Sequence, residues 1–220
     1  MSKQPTTRLA LALALSLSTG AVLAKTPSAA IPPAEYESHI QQAMSDSKTL
    51  ATTAHAGKRA AFLCLYCHGE DGNSVQENIP NLSGQNPVYL LTQIEKFGDG
   101  RRNDEFMSGL IKALKSEDRI NMAVYYSTMR PNTPISKDAA LVAKGKQRYQ
   151  ATCIGCHGPK GHGNNTIARL AGQRISYITE ALGKYRSSKS PRTDPVMTTV
   201  ARSLSHSDIP AIAAYLSTLK

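Results

Sequence analysis

The chain has 220 residues, of which 26 are Lys or Arg and 16 are Asp or Glu, so its formal net charge at pH 7 is +10. After the first 24 residues no stretch is apolar enough to cross a bilayer, which excludes a polytopic membrane protein. The basic charge is not accompanied by a recognised nucleic-acid-binding motif, so we expect no nucleic acid as a partner.

The N-terminal segment has the three parts of a secretory signal peptide. Lys3 and Arg8 give a basic start, residues 9–17 are apolar, and small residues at 22–24 supply a cleavage site. An uncleaved membrane anchor is the alternative. The uncharged stretch after Arg8 is only 16 residues long, whereas a spanning helix needs roughly 20. The sequence therefore predicts cleavage of this segment and export to the periplasm.

All the cysteines lie in two copies of the pattern Cys-x-x-Cys-His, at residues 64–68 and 153–157. Cysteines at i and i+3 share one face of a helical turn, so both sulfurs can bond to the vinyl groups of one porphyrin. A redox disulfide or a zinc site is the alternative. The pairs of a zinc ribbon lie about 15–20 residues apart, but these are 86 positions apart. The pattern predicts two covalently bound haem c groups, attached through Cys64, Cys67, Cys153 and Cys156.

The histidine that ends each motif, His68 or His157, is predicted to ligate the haem iron from one side. Such a ligand normally donates a hydrogen bond from its other ring nitrogen, often to a carbonyl. Pro80 is suitably placed to supply this carbonyl in the first half, whereas Ala168 stands at the matching position of the second. We expect the second carbonyl to be held less firmly, so that the two haems differ in reduction potential.

An electron-carrying haem needs a further ligand on the other side of the iron, and methionine is predicted to fill this role. Met107 follows His68 by 39 residues, and Met197 follows His157 by 40. Each of these methionines precedes a leucine by seven residues. A thioether favours ferrous iron and so raises the reduction potential.

The remaining methionines and histidines have no partner in the other half of the chain. Two of these methionines fall inside a predicted helix, where packing in the core is expected. The histidines are expected to lie on the surface or in local hydrogen bonds. These residues are Met44, Met122, Met129, His39, His55, His162 and His206.

The two halves are copies of one unit. Gly57 and Gly145 match, each followed by Lys, and residues 81–85 match 169–173 as x-Leu-x-Gly-Gln. Matched positions stay 88 to 90 residues apart. Each unit has about 85 residues, which is small for an independent core, and a covalently held haem would supply the apolar mass that it lacks.

Apolar residues spaced three and four apart predict that the elements are helical throughout. One helix is expected from Pro87, a second over residues 116–129, a third over 175–185 and a fourth over 209–219. Ser207 is the predicted N-cap of the fourth.

The domain organisation follows from the repeat and from the breaks between the helices. Residues 1–24 are the predicted signal peptide, and 25–50 form an N-terminal extension without counterpart in the repeat. The first domain is predicted at 51–130 and the second at 138–220, joined by a linker at 131–137 that contains two prolines.

The charge is divided unevenly between the halves. Residues 25–130 carry 11 basic and 12 acidic side chains, whereas residues 131–220 carry 13 and four. The basic second half could steer the protein toward an acidic partner surface or an anionic membrane. Ordinary solvation of a periplasmic protein is the alternative explanation.

With these residues in view, the chain resembles the dihaem cytochrome c4 family. The resemblance extends over residues 57–220 and rests on both haem motifs, on the Leu-x-Gly-Gln-x-x-x-Tyr segments at 82–89 and 170–177, and on the two methionine segments. It implies an all-α fold of two tandem class I cytochrome c domains, each a few helices wrapped around a covalently attached haem. It also implies that an approximate two-fold axis relates the domains and that the haems meet near their interface.

The resemblance implies a periplasmic electron carrier, not an enzyme. Such proteins shuttle electrons in the respiratory chain from a quinol-oxidising, cytochrome bc-type complex to a terminal oxidase or another acceptor. One alternative is the haem subunit of a dehydrogenase or oxidase complex. A dihaem enzyme of peroxidase type, in which one iron lacks its methionine, is the least favoured alternative because both methionine spacings are nearly equal.

Overall fold

The computed structural model describes residues 30–132, 136–187, 192 and 194–220, so the predicted signal peptide lies outside the described residues. The described part is helical and contains no β-strand. In chain order its α-helices are α1 Tyr36–Ala43, α2 Ser47–Ala60, α3 Leu65–His68, α4 Pro87–Gly98, α5 Glu105–Lys112, α6 Ser116–Ser127, α7 Ala139–Thr152, α8 Ile154–His157, α9 Ile175–Arg186, α10 Pro195–Arg202 and α11 Asp208–Leu216.

Each half builds its core on one close crossing of two helices. In the first half α2 crosses α6 at Gly57, where a Cβ atom would overlap the carbonyl oxygen of Asn121. In the second half α7 crosses α11 at Gly145, where a Cβ atom would overlap the carbonyl oxygen of Ala211. The glycine shared by the two repeats is therefore explained by backbone contact, since only a residue without a side chain lets the helices approach so closely.

Two separate apolar clusters result. The first is formed by α1, α4 and α6, with Leu91 and Val124 fully buried. The second is formed by α7, α9 and α11, with Tyr149 and Ile212 at its centre. Helix α5 packs against α4, and α10 packs against α9.

The predicted N-terminal extension is part of the first core. Ile31, Tyr36 and Ile40 are buried in the first cluster, and α1 packs against α4 and α6. The predicted boundary at residue 51 falls inside α2, which begins at Ser47 because the Asp46 side chain accepts hydrogen bonds from the first-turn N–H groups. The extension thus continues into the first unit without a break.

The helices expected from apolar periodicity are present, and they end at most three residues from the expected positions at their C-termini. The cap of the last helix differs from expectation. Ser207 precedes α11, but its side chain makes no cap hydrogen bond and instead accepts one from Nζ of Lys144 at 2.8 Å. Ser205 and Asp208 bond to each other reciprocally at this point. In the described residues, no helix is both long and apolar enough to cross a membrane.

Candidate haem sites

The two Cys-x-x-Cys-His motifs adopt the same local structure. Each forms one helical turn, α3 or α8, that begins after the first cysteine and ends at the histidine. The next residue is Gly69 or Gly158, with φ of 84° or 75°, a conformation that favours glycine. The turn places both cysteines of a motif on one side of the helix, as attachment to one porphyrin edge requires.

All four cysteines are free in the structure. Burial raises the pKa of the Cys64 thiol, and it raises that of Cys153 to about 11. Both thiols therefore remain protonated at neutral pH, and a protonated thiol is a poor nucleophile. Within the described residues no group of three or more His, Cys, Asp and Glu side chains is arranged to hold a metal ion.

The motif histidines are buried, with only 7% of His68 and 8% of His157 exposed. Nδ1 of His68 bonds to the Pro80 carbonyl at 2.9 Å, and Nδ1 of His157 bonds to the Ala168 carbonyl at the same distance. Burial lowers the pKa of both rings, which the carbonyl contacts only partly offset. A neutral ring that donates from Nδ1 presents Nε2 as the atom able to bind iron.

The equal distances correct one expectation. Alanine in place of proline was expected to leave the second carbonyl less firmly held, yet Ala168 presents its oxygen to His157 as closely as Pro80 does to His68. The backbone N–H groups beside these carbonyls are held by hydrogen bonds from elsewhere in the fold, so the ring of proline is not needed to place them.

The two methionines also occupy equivalent positions. Met107 lies in the first turn of α5 and Met197 in the first turn of α10, and both are partly buried. Each backbone N–H donates to the N-cap aspartate, Asp104 at 3.0 Å or Asp194 at 3.1 Å. The cap fixes where the helix starts, and therefore where its methionine lies.

The other methionines and histidines take the expected structural places. Met122 is buried in the first cluster, Met129 packs against it, and Met44 is exposed. The remaining histidines lie on the surface. Two of them have local partners, His39 near Glu35 and His55 near Arg59. His162 lies near the distant Lys220 carbonyl, and His206 is exposed.

A buried ion pair between α4 and α6 was not found by sequence reasoning. Arg119 of α6 is 4% exposed and Glu95 of α4 is 1% exposed, and they are 3.1 Å apart. Arg119 also donates to the carbonyls of Ile111 and Leu114, at the end of the helix that carries Met107. The repeat places Gly183 and Ile209 at the corresponding positions. Neither residue stood out in the sequence, because both helices contain other charged side chains, Lys96 in α4 and Glu117 and Asp118 in α6.

Arginine and tyrosine side chains meet between the halves. The Arg192 guanidinium donates to the hydroxyls of Tyr185, Tyr177 and Tyr89 at 2.8, 2.9 and 3.2 Å. Arg102 donates to Tyr177 at 3.4 Å. Burial raises the pKa of Tyr177, but the two guanidinium groups outweigh it and lower that pKa to about 7. The matched tyrosines of the repeat, Tyr89 and Tyr177, are thus brought together here.

These residues fit a covalently held haem in each unit. The cysteines are free, the buried imidazoles present Nε2, and methionines stand at matched helix starts. This fit rests on the donor atoms and their burial.

The comparisons with known proteins agree with this fit. Residues 142–220 match the family model for cytochrome c. The chain is 34% identical to cytochrome c4 of Pseudomonas aeruginosa over 77% of its own length and 90% of the relative's. It is 35% identical to the thiosulfate dehydrogenase electron acceptor of Thiomonas intermedia, covering 76% and 82% of the two chains.

The solved structures give the same result. The crystal structure of reduced recombinant cytochrome c4 from Pseudomonas stutzeri superimposes with a TM-score of 0.71 and 32% identity, covering 76% of this chain and 98% of the other. The two helical units with their paired motifs are therefore a known architecture. The chain belongs to the cytochrome c4 family of dihaem, electron-transferring c-type cytochromes, with two covalently bound haem c groups.

Proposed function

We propose that the protein is a periplasmic electron carrier in which each unit holds its haem iron between a histidine and a methionine. The matched placement of the four side chains, His68 with Met107 and His157 with Met197, supports this. Haem bound in this way supplies reversible one-electron transfer between ferrous and ferric iron. With both sides of the iron filled, neither unit leaves the open metal position that catalysis needs, so we propose that the protein is not itself an enzyme.

The same proposal assigns the attachment residues and the domains. Cys64 and Cys67 would carry the first haem, and Cys153 and Cys156 the second. The two separate apolar clusters support a division into a first domain that ends near residue 130 and a second that starts near 138. Cleavage of the signal peptide predicts that the purified protein begins at Lys25, which mass spectrometry of the intact chain would check.

The ligand assignment is tested by changing each methionine in turn. In a spectroelectrochemical titration of the exported protein, we expect Met107→Ala and Met197→Ala each to keep two haems. Each should remove about half of the ferric sulfur-to-iron charge-transfer absorbance and lower one potential. Met44→Ala is the matched control, because this side chain is exposed and should leave the spectrum unchanged. A spectrum unaffected by either ligand variant would contradict the assignment.

We further propose that the basic second half docks on acidic surfaces of the redox partners, a quinol-oxidising complex and a terminal oxidase, with peripheral membrane association as a second possibility. Its lysines on α7, in the loop after α8 and on α9 are exposed: Lys144, Lys146, Lys160 and Lys184. At 0.1 M salt, the attraction between exposed charges is largely screened beyond a separation of about 10 Å. The rate of electron exchange with an acidic partner should therefore fall as salt is added, and a rate independent of salt would contradict docking by charge.

The second candidate is a haem subunit of a dehydrogenase or oxidase complex. It is favoured by the similarity to a relative named as the electron acceptor of thiosulfate dehydrogenase. Purification at high salt distinguishes the two, because a permanent subunit would elute with a catalytic partner and a free carrier would elute alone. A peroxidase-type enzyme would instead show a high-spin haem and peroxide turnover.

A further inference from the structure

The carbonyls that hold the motif histidines belong to peptide groups that also contact the opposite unit. The peptide between Pro80 and Asn81 accepts from Nδ1 of His68 through its oxygen, at 2.9 Å. Its N–H donates to Oε1 of Gln173, at 2.8 Å. One peptide group therefore lies between the first motif histidine and a side chain of the second unit.

The second unit repeats this arrangement in the opposite direction. The peptide between Ala168 and Arg169 accepts from Nδ1 of His157 at 2.9 Å, and its N–H donates to Oε1 of Gln85 at 2.6 Å. The two glutamines are matched residues of the repeat, 88 positions apart. The glutamine of each unit thus bonds to the peptide group that holds the motif histidine of the other unit.

Both glutamines are held in place. Nε2 of Gln173 donates to the carbonyl of Asn81 at 3.0 Å, and Nε2 of Gln85 donates to the carbonyl of Arg169 at 2.8 Å. Only 6% of Gln173 and 8% of Gln85 is exposed. In such a poorly solvated interface each hydrogen bond is stronger than in water and polarises its neighbours.

We propose that each glutamine tunes the reduction potential of the haem in the opposite unit. A hydrogen bond accepted by Oε1 of Gln173 draws charge onto the oxygen of the same peptide group, which strengthens its bond to Nδ1 of His68. A histidine that donates more strongly is a more basic ligand, and a more basic ligand favours ferric iron. Gln173 therefore lowers the potential of the first haem, and Gln85 lowers that of the second.

This inference rests on the proposed ligation of each iron by a histidine and a methionine, and the experiment separates that proposal from the role of the glutamines. Met107→Ala identifies the potential of the first haem and Met197→Ala that of the second. If neither variant moved a potential, the proposed ligation would fail. If both did, the glutamine variants would then test the inference alone.

The perturbation is Gln173→Met, which keeps the side-chain length and removes the amide. We expect a rise in the potential of the first haem and no change in the second, with Gln85→Met giving the mirror result. Loss of a hydrogen-bond partner of a metal ligand typically changes metal affinity or activity about 10–100-fold. The glutamine lies one group further from the metal, so we expect the equilibrium constant between ferric and ferrous iron to change by about tenfold or less. A tenfold change is 59 mV for one electron.

Asn86→Ala is the matched control. Nδ2 of Asn86 also crosses between the units, to the carbonyls of His162 and Ile167 at 3.0 and 2.7 Å, but it does not contact either histidine-bound peptide. It should leave both potentials unchanged. Where Gln173→Met fails to fold, Gln173→Asn shortens the side chain by one methylene and should move the same potential upward.

Three results would overturn the proposal. They are unchanged potentials in both glutamine variants, a shift of the haem in the variant's own unit, or an equal shift with Asn86→Ala. The last two would show general loosening of the interface. Proton NMR of the reduced protein gives an independent measurement, because the Nδ1–H resonance of His68 should move upfield in Gln173→Met as its hydrogen bond weakens.

Discussion

The buried Arg119–Glu95 pair offers the sharpest test of how the first unit positions its methionine helix. The perturbation is Arg119→Met, which keeps an unbranched side chain and removes the guanidinium. It leaves the Glu95 carboxylate, 1% exposed, without its cation, and leaves the carbonyls of Ile111 and Leu114 without their donor. Removing one partner of a buried pair costs about 3–5 kcal/mol, so we expect a loss of that size from the unfolding free energy of the first unit.

The second unit supplies the control for this variant. Because Gly183 and Ile209 stand at the matching positions, a unit of this fold is stable without the charges. The double variant Glu95→Ala with Arg119→Ile should therefore recover most of the loss, since apolar replacement of a buried pair is often neutral. Denaturant unfolding of the haem-loaded protein, followed by circular dichroism, measures both changes.

The same variant should also affect the methionine. Arg119 donates to the carbonyl of Ile111 in the last turn of α5, and Met107 lies in the first turn of that helix. We expect the charge-transfer absorbance of the first haem to weaken in Arg119→Met while that of the second stays unchanged. A single variant that lost less than about 1 kcal/mol, or a double variant as unstable as the single, would refute this reasoning.

Two further predictions concern the packing of the units and their interface. Gly57→Ala should destabilise the first unit by about 1–3 kcal/mol in denaturant unfolding, because a Cβ atom there overlaps the Asn121 carbonyl. Gly109→Ala, in α5 with open space around it, should instead be neutral or stabilising by up to about 1 kcal/mol. Tyr177→Phe removes a hydroxyl whose pKa is lowered to about 7. A tyrosine with a lowered pKa stabilises the fold above its unfolded pKa of about 10 and loses this contribution as the pH falls through 7. The variant should therefore flatten the rise in stability between pH 7 and 10, and an unchanged pH profile would contradict the assignment.

The sequence predicted those features that depend on local spacing. The i, i+3 cysteines and the helices at 87 and 175 are encoded within a few residues of one another. The repeat strengthened these predictions, because a pattern that recurs at a nearly constant offset is not a chance match. Local spacing and repetition were enough to predict the fold class and the candidate ligands.

What the sequence did not predict depends on contacts between distant residues. Gln85 and Gln173 stood out as a shared motif, but their partners lie 84 and 92 positions away in the opposite unit. The extension has no counterpart in the repeat, so nothing in the sequence indicated that Tyr36 and Ile40 complete the first core. Ser207 precedes its helix as expected, but a lysine from another helix competes for its hydroxyl. Each of these outcomes depends on tertiary neighbours that no local pattern encodes.

The tyrosines next to the first cysteine of each motif show what the duplication preserves. In the first unit Tyr126 of α6 and Ala61 are both buried, whereas the matching positions of the second unit hold Leu216 and Tyr149, which are also both buried. The buried tyrosine ring therefore comes from the second helix of the crossing, α6, in the first unit and from the first helix, α7, in the second unit. Each tyrosine still packs beside a neighbouring tyrosine, with ring centroids 5.1 and 5.4 Å apart.

This exchange follows from dense packing, in which volume lost on one helix must be replaced on its partner. The two repeats therefore differ at two matched positions, but together these residues preserve the filled space between the helices. The hydroxyl does not keep its surroundings, because in the second unit Tyr149 donates to the Gly158 carbonyl, directly after His157, at 2.7 Å. The backbone beside the second motif histidine therefore has a hydrogen bond from a residue that is alanine in the first unit. Asymmetry between the two haems can thus arise from this packing exchange even though the two histidine–carbonyl distances are equal.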